Sequence, residues 1–147
     1  MPSRVECENG HPYRGTCREA AIEIAQVGNE WPICKRLGCG ARVRYISEQT
    51  YPSEPGRTYV YEVQKVVRFR PNTAEKDKYD PMLLVLRERM EAGDKCSWPI
   101  HIWTFYWTHN RKGQWHVGQF PPLLTVKELK EALQGLDKLP TLAISEQ

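Results

Sequence analysis

No stretch of this chain approaches the ~18 consecutive apolar residues that a membrane-spanning helix needs. The opening residues Met1-Pro2-Ser3-Arg4-Val5-Glu6 contain no apolar core of a secretory leader. The expected compartment is therefore the cytoplasm, where thiols stay reduced. Signatures of common chemistries are missing too. There is no P-loop, no Gly-rich dinucleotide turn and no Gly-x-Ser-x-Gly elbow. The deaminase pattern of His-x-Glu with Pro-Cys-x-x-Cys is also absent. These gaps argue against an enzyme. Charge of one sign is not in large excess either. A formal net charge of +3 and a pI near 8.6 permit contact with nucleic acid, but dedicated binding domains usually lie above a pI of ~9. No internal repeat and no low-complexity tract is present.

Cysteine is scarce but concentrated. Of the five in 147 residues, four fall between Cys7 and Cys39. An odd count in a reducing compartment suggests metal rather than disulfides. Cys7-Glu8-Asn9-Gly10-His11 and Cys34-Lys35-Arg36-Leu37-Gly38-Cys39-Gly40 each offer a pair of soft ligands. Two such pairs, Cys7 with His11 and Cys34 with Cys39, can hold one tetrahedral Zn²⁺ in a closed structural site. Glycines beside the ligands let the backbone curl so that both members of a pair face one point. Cys17 is an alternative ligand in place of His11. The competing reading is a set of unrelated buried thiols with a surface histidine. Cys96 reads as a small buried hydrophobe.

The Cys-x-Asn-Gly-His run followed by Cys-x4-Cys-Gly resembles the zinc-ribbon class of small metal modules, over residues 7–46. That resemblance implies a structural metal and often a role in holding nucleic acid or another protein; it does not imply catalysis. A structural ion would contribute on the order of 10 kcal/mol to folding, so the N-terminal third should lose order without it.

Around this site the pattern reads as α+β: a zinc ribbon of short β-hairpins, then an antiparallel sheet with two helices packed on one face. The expected units are a metal module over 1–50 and a small α+β unit over 58–140. Strands are expected at Val5–Cys7, across 18–27, and at 41–46, with a Gly28-Asn29-Glu30 turn between the second and third. A Pro- and Gly-containing loop follows at 49–57. Thr58–Phe69, rich in β-branched and aromatic residues, predicts a strand. Asp80-Pro81 predicts a helix start, with Met82, Leu83, Leu86 and Met90 on one side and Gly93 as its cap. Residues 100–109 and 114–120 predict a hairpin around Asn110–Gly113. Thr125 and Glu128 make a capping box for a last helix, and 140–147 reads as a frayed end.

On the hairpin, His101, Trp103, Phe105, Trp107 and His109 share one face by the period of two. That face is either core or a platform on which bases or a partner protein stack. Arg42, Arg44, Arg57, Lys65, Arg68 and Arg70 form a basic series on the strands, with Arg111 and Lys112 in the hairpin turn. Alone they read as a solvated face; beside a zinc ribbon they suggest phosphate contacts. The expectation is a non-enzymatic, zinc-containing nucleic-acid-binding protein or subunit of such a complex. Alternatives are an adaptor using the aromatic face, or a small nuclease using Glu62 with Lys65, or His109 with His116.

Overall fold

The computed structural model describes residues 3–26, 31–53, 55–56, 58–88 and 101–136. Six strands, β1 (Ser3–Cys7), β2 (Val43–Thr50), β3 (Thr58–Arg68), β4 (Tyr79–Glu88), β5 (His101–His109) and β6 (Trp115–Val117), pair in sequence order. Every pairing is antiparallel. The sheet curls into a half-barrel. Three helices accompany it among the described residues: α1 (Cys17–Gln26), the single turn α2 (Ala74–Asp77) and α3 (Val126–Leu136). The α+β expectation holds in this broad form. No described helix is long and apolar enough to cross a membrane.

The strand at 5–7, the long strand from Thr58, the hairpin and the final helix stand where the sequence put them. At the last helix, Thr125 Oγ1 accepts the Glu128 N–H at 3.1 Å and Glu128 accepts the Thr125 N–H at 2.9 Å. The strand expected across 18–27 is instead α1. Thr16 Oγ1 accepts the Glu19 N–H at 3.1 Å, the same kind of start signal as at Thr125. Ala20, Ala21 and Ile24 then fall on one buried stripe.

The helix expected from Asp80 is instead β4. Asp80 is fully buried, and its carboxylate binds arginines rather than free helix N–H groups. Pro81 sits within the strand, where its carbonyl still accepts from Phe69 N–H at 3.1 Å. The run Met82–Leu86 is apolar without interruption because β4 is covered on both faces. Met82, Leu84 and Leu86 join the main core with α1, Tyr45, Tyr61, Val63, Val66, Phe105 and Trp107. Leu83 and Val85 pack with Ala132 and Leu136 of α3, flanked by Val67 and Phe69. The long helices therefore lie on opposite faces of the sheet, not on one. A bulge in β3 between Val63 and Lys65 lets both Val63 and Val66 turn to the α1 side. The turn at 28–30, Arg57, Met90, Gly93, Cys96 and the end at 140–147 lie outside the described residues.

Antiparallel register gathers the connections at one end of the sheet. Cys7 pairs with Val43, Arg68 with Met82, Tyr79 with Thr108 and His109 with Trp115. The segments around Cys7 and Cys39, the β3–β4 connection and the β5–β6 turn all leave the sheet on that side.

Candidate metal centre

Two short bends carry the four candidate ligands. The first is closed where Glu6 bridges to Pro12. There the Cys7 N–H donates to the His11 carbonyl and the Gly10 N–H to the Cys7 carbonyl, each at 2.9 Å. The second is closed where Ile33 bridges to Arg42. The Cys34 N–H donates to the Ala41 carbonyl at 2.7 Å, and the Cys39 N–H to the Arg36 carbonyl at 3.0 Å. The chain reverses through Gly10 (φ 84°) and Gly38 (φ 78°). In that left-handed region a Cβ costs roughly 1–2 kcal/mol. Pairing of β1 with β2 sets the bends side by side.

The donor atoms of Cys7, His11, Cys34 and Cys39 all lie within 4.8 Å of one another. Cys7 Sγ is 3.8 Å from Cys39 Sγ, and Cys34 Sγ is 3.7 Å from His11 Nδ1. A tetrahedral ion bound about 2.3 Å from sulfur and about 2.05 Å from nitrogen has S···S edges of about 3.8 Å and S···N edges of about 3.6 Å. These two separations match that figure and the others stay within 4.8 Å, so this group of three cysteines and one histidine can hold a metal ion. Cys7 is buried and the other three are half-buried.

N–H groups already point at the sulfurs. The His11 N–H meets Cys7 Sγ at 3.4 Å, and the Asn9 amide meets Cys39 Sγ at 3.4 Å. The Ala41 N–H, and after it the Asn9 amide, hold the Cys39 thiol down at about 6. At Cys34 the Arg36 N–H pulls downward, but desolvation and the neighbouring Cys39 and Cys7 thiols outweigh it and push the group up. Three thiols this close oppose full ionisation, and a bound cation relieves that opposition. Asn9 was not singled out from the sequence, although it stands inside the Cys-x-Asn-Gly-His run.

Cys17 is not part of the group. It sits on α1, packed against the main core, with its Sγ directed at the Ser3 carbonyl at 3.9 Å. Burial pushes its thiol up. The structure brings His11, not Cys17, to the three other candidate ligands.

The basic and aromatic residues divide. Arg42 lies over the Trp31 ring, 4.2 Å from its centroid, and Arg44 donates to the Glu8 carbonyl at 3.3 Å; both flank the metal centre. Arg111 and Lys112 are exposed in the β5–β6 turn. Arg68 points inward and donates to Asp80 at 2.9 and 3.2 Å. Arg70 grips Glu128 through two bonds of 3.0 and 3.1 Å and reaches the Leu123 carbonyl at 2.8 Å, which ties α3 to the sheet. Trp107 is buried, and Trp103 is half-buried and stacked on Phe105 with centroids 4.6 Å apart. This aromatic face packs on α1 within the main core.

Glu62 and Lys65 lie on β3, on either side of the bulge. His109 meets Trp115 edge-on at 4.2 Å, and His116 Nδ1 lies 3.0 Å from the Val117 carbonyl. Among the described residues no second group of three or more His, Cys, Asp or Glu converges on a common point.

Sequence reasoning did not find the polar hub at this end of the sheet. Arg18, on α1, donates through Nε to Asp80 at 3.1 Å and through Nη2 to Glu75 at 2.7 Å, and covers the Trp115 ring at 3.6 Å. Arg18 and Asp80 are separated by 62 residues, and no local pattern links them.

No family model, curated protein or solved structure matches this chain.

Proposed function

We propose that Cys7, His11, Cys34 and Cys39 bind one structural Zn²⁺ and that this zinc-ribbon-type tip serves a non-enzymatic protein that contacts nucleic acid. The observation that carries the metal reading is the convergence, within 4.8 Å, of four soft donors on two glycine-hinged bends. Three thiols with one imidazole favour Zn²⁺ over the harder cations that take oxygen ligands. With four protein ligands the ion has no open position, so its role is to hold the bends together rather than to activate water. Asn9 and the backbone N–H groups bonded to sulfur orient the ligands from outside.

The nucleic-acid reading is supported by the cations at the same end of the sheet. Arg42 and Arg44 flank the centre, and Arg111 and Lys112 stand in the β5–β6 turn. Arg68 and Arg70 are held by carboxylates and do not count toward it.

Elemental analysis of the purified chain tests the first part. The expected result is close to one zinc per chain, lost in Cys34→Ser. An empty site in carefully prepared protein with the bends still folded removes it. A salt-titrated gel shift with short single- and double-stranded probes tests the second, and absence of any shift at low salt ends it.

A further inference from the structure

An open cleft of about 680 Å³ lies against the metal centre. Its walls come from both bends. Tyr13 and Arg14 line it where the chain leaves the first, and Ile33, Lys35 and Arg36 line it on the second. Cys7, His11 and Cys34 also line it. The volume is in the range of small-ligand sites, about 300–1,000 Å³.

Its charge and shape are specific. Arg14, Lys35 and Arg36 are exposed, and none of them forms an ion pair among the described residues. The one carboxylate lining the cleft among the described residues, Glu19, is engaged at the helix start by Thr16. A Zn²⁺ with three thiolates carries net negative charge, so attraction for an anion comes from these three side chains and not from the ion. Tyr13 donates its hydroxyl to Glu23, which fixes the ring where it borders the cleft. Free cations beside a fixed ring are what a flexible strand needs, with phosphates on the cations and a base on the ring. A duplex keeps its phosphates on a convex surface and its bases stacked inside, and it cannot put both into a concavity of this size.

We propose that this cleft seats single-stranded nucleic acid, with Arg14, Lys35 and Arg36 on the phosphodiester backbone and Tyr13 stacked on a base. The proposal rests on the nucleic-acid contact proposed above and places it at a cleft that three of the four candidate ligands line.

The test is fluorescence anisotropy with labelled ten-nucleotide oligothymidine and with a ten-base-pair duplex, on the purified chain with its zinc content measured. The variant Arg14→Gln/Lys35→Gln/Arg36→Gln should keep its zinc and weaken oligothymidine binding at least about tenfold. It should flatten the dependence of log affinity on log salt by about 2, from three contacts at about 0.7 each. Tyr13→Leu should weaken binding at least about fivefold, at the lower edge of base–aromatic stacking. The cleft proposal is overturned if the triple variant binds the strand as the unsubstituted chain does, or if the duplex binds more tightly through the same residues. Displacement by millimolar AMP as effective as displacement by unlabelled strand would make the site a mononucleotide pocket and overturn it too. A zinc-loaded chain that ignores the strand sinks the cleft and leaves the metal centre standing. A zinc-free chain whose strand binding depends on the three cations sinks the metal reading and leaves the cleft.

Discussion

Replacing Asp80 with alanine should be among the most damaging single changes in this protein. Asp80 has no exposure to solvent, and its two oxygens accept from Arg18 Nε at 3.1 Å and Arg68 Nε at 2.9 Å. Those arginine side chains are themselves only 7% and 11% exposed. In Asp80→Ala the two guanidinium groups face one another across a void. Among the described residues only Glu75, whose side chain is 69% exposed, remains paired with either of them. An intact buried ion pair contributes little net stability against an apolar replacement, but breaking one by removing a partner costs roughly 3–5 kcal/mol.

A chain of 147 residues is expected to have a total stability of roughly 7–20 kcal/mol. The loss is thus a large fraction of the whole. With a urea m-value of about 2 kcal/mol/M, it moves the unfolding midpoint down by roughly 1.5–2.5 M. Asp80→Asn, which keeps the shape and one accepting oxygen, should fall between the parent and Asp80→Ala. Adding Arg68→Met to Asp80→Ala should recover part of the loss by removing one stranded charge. Equilibrium urea unfolding followed by tryptophan fluorescence measures all four. A loss under about 1 kcal/mol for Asp80→Ala, or no recovery in the double variant, would refute the assignment of Asp80 as a buried charge hub.

Three further outcomes follow from named contacts. Cys17→Ser should leave the zinc content unchanged while Cys39→Ser abolishes it, because Cys17 faces the core and not the other ligands; loss of metal in Cys17→Ser would reopen its place as a ligand. The Arg70 guanidinium, then the Thr125 N–H, hold the Glu128 carboxyl down at about 2. A depressed folded-state value means stabilisation that is present above the ordinary carboxylate range and lost as pH falls from about 4.5 toward 2. The pair is partly solvated, so Glu128→Gln should cost about 1 kcal/mol at pH 7 and nearly nothing at pH 2; a difference that persists in acid speaks against the pairing. Gly118→Ala would put a Cβ 2.0 Å from the Tyr106 ring, so it should cost about 2 kcal/mol by overpacking, and a thermal melt unchanged from the parent would contradict that contact.

What could be read from the sequence depended on how local the cause was. The convergence of Cys7, His11, Cys34 and Cys39 was legible because each pair lies within six residues and among glycines, and Gly10 and Gly38 do adopt the left-handed conformation. The last helix was legible from Thr125 and Glu128. Thr16 and Glu19 carry the same signal and start α1, whereas the expectation of a strand followed from the return strand that a zinc ribbon needs there. Ile24 is buried and Ile22 half-buried, as a helix stripe allows. At β4 the local cue pointed the wrong way. Asp-Pro is a good helix start, and only burial on two faces explains why Met82–Leu86 has no polar member. The opposed positions of α1 and α3 follow from that same two-sided burial.

The order of the chain also decides how far metal loss should reach. The excursion from Cys7 to Cys39 carries α1, so a metal held at the four candidate ligands would tie together the two ends of a loop whose middle fills the curled sheet. The sequence alone suggested that the whole N-terminal third depends on the ion. The structure gives α1 two fastenings of its own: Ala20, Ala21 and Ile24 in the main core, and Arg18 on Asp80. Burial of such apolar side chains is worth roughly 1–3 kcal/mol each, and neither fastening passes through the ligands. Chelation should therefore free the bends at 8–12 and 33–41 while α1 stays docked. In amide hydrogen exchange on the chelated chain, Ala21 and Ile24 should keep most of their protection while Gly10 and Cys39 lose theirs. Loss of protection at Ala21 and Ile24 together with the bends would show that the ion holds α1 as well, and the independent fastening would be wrong.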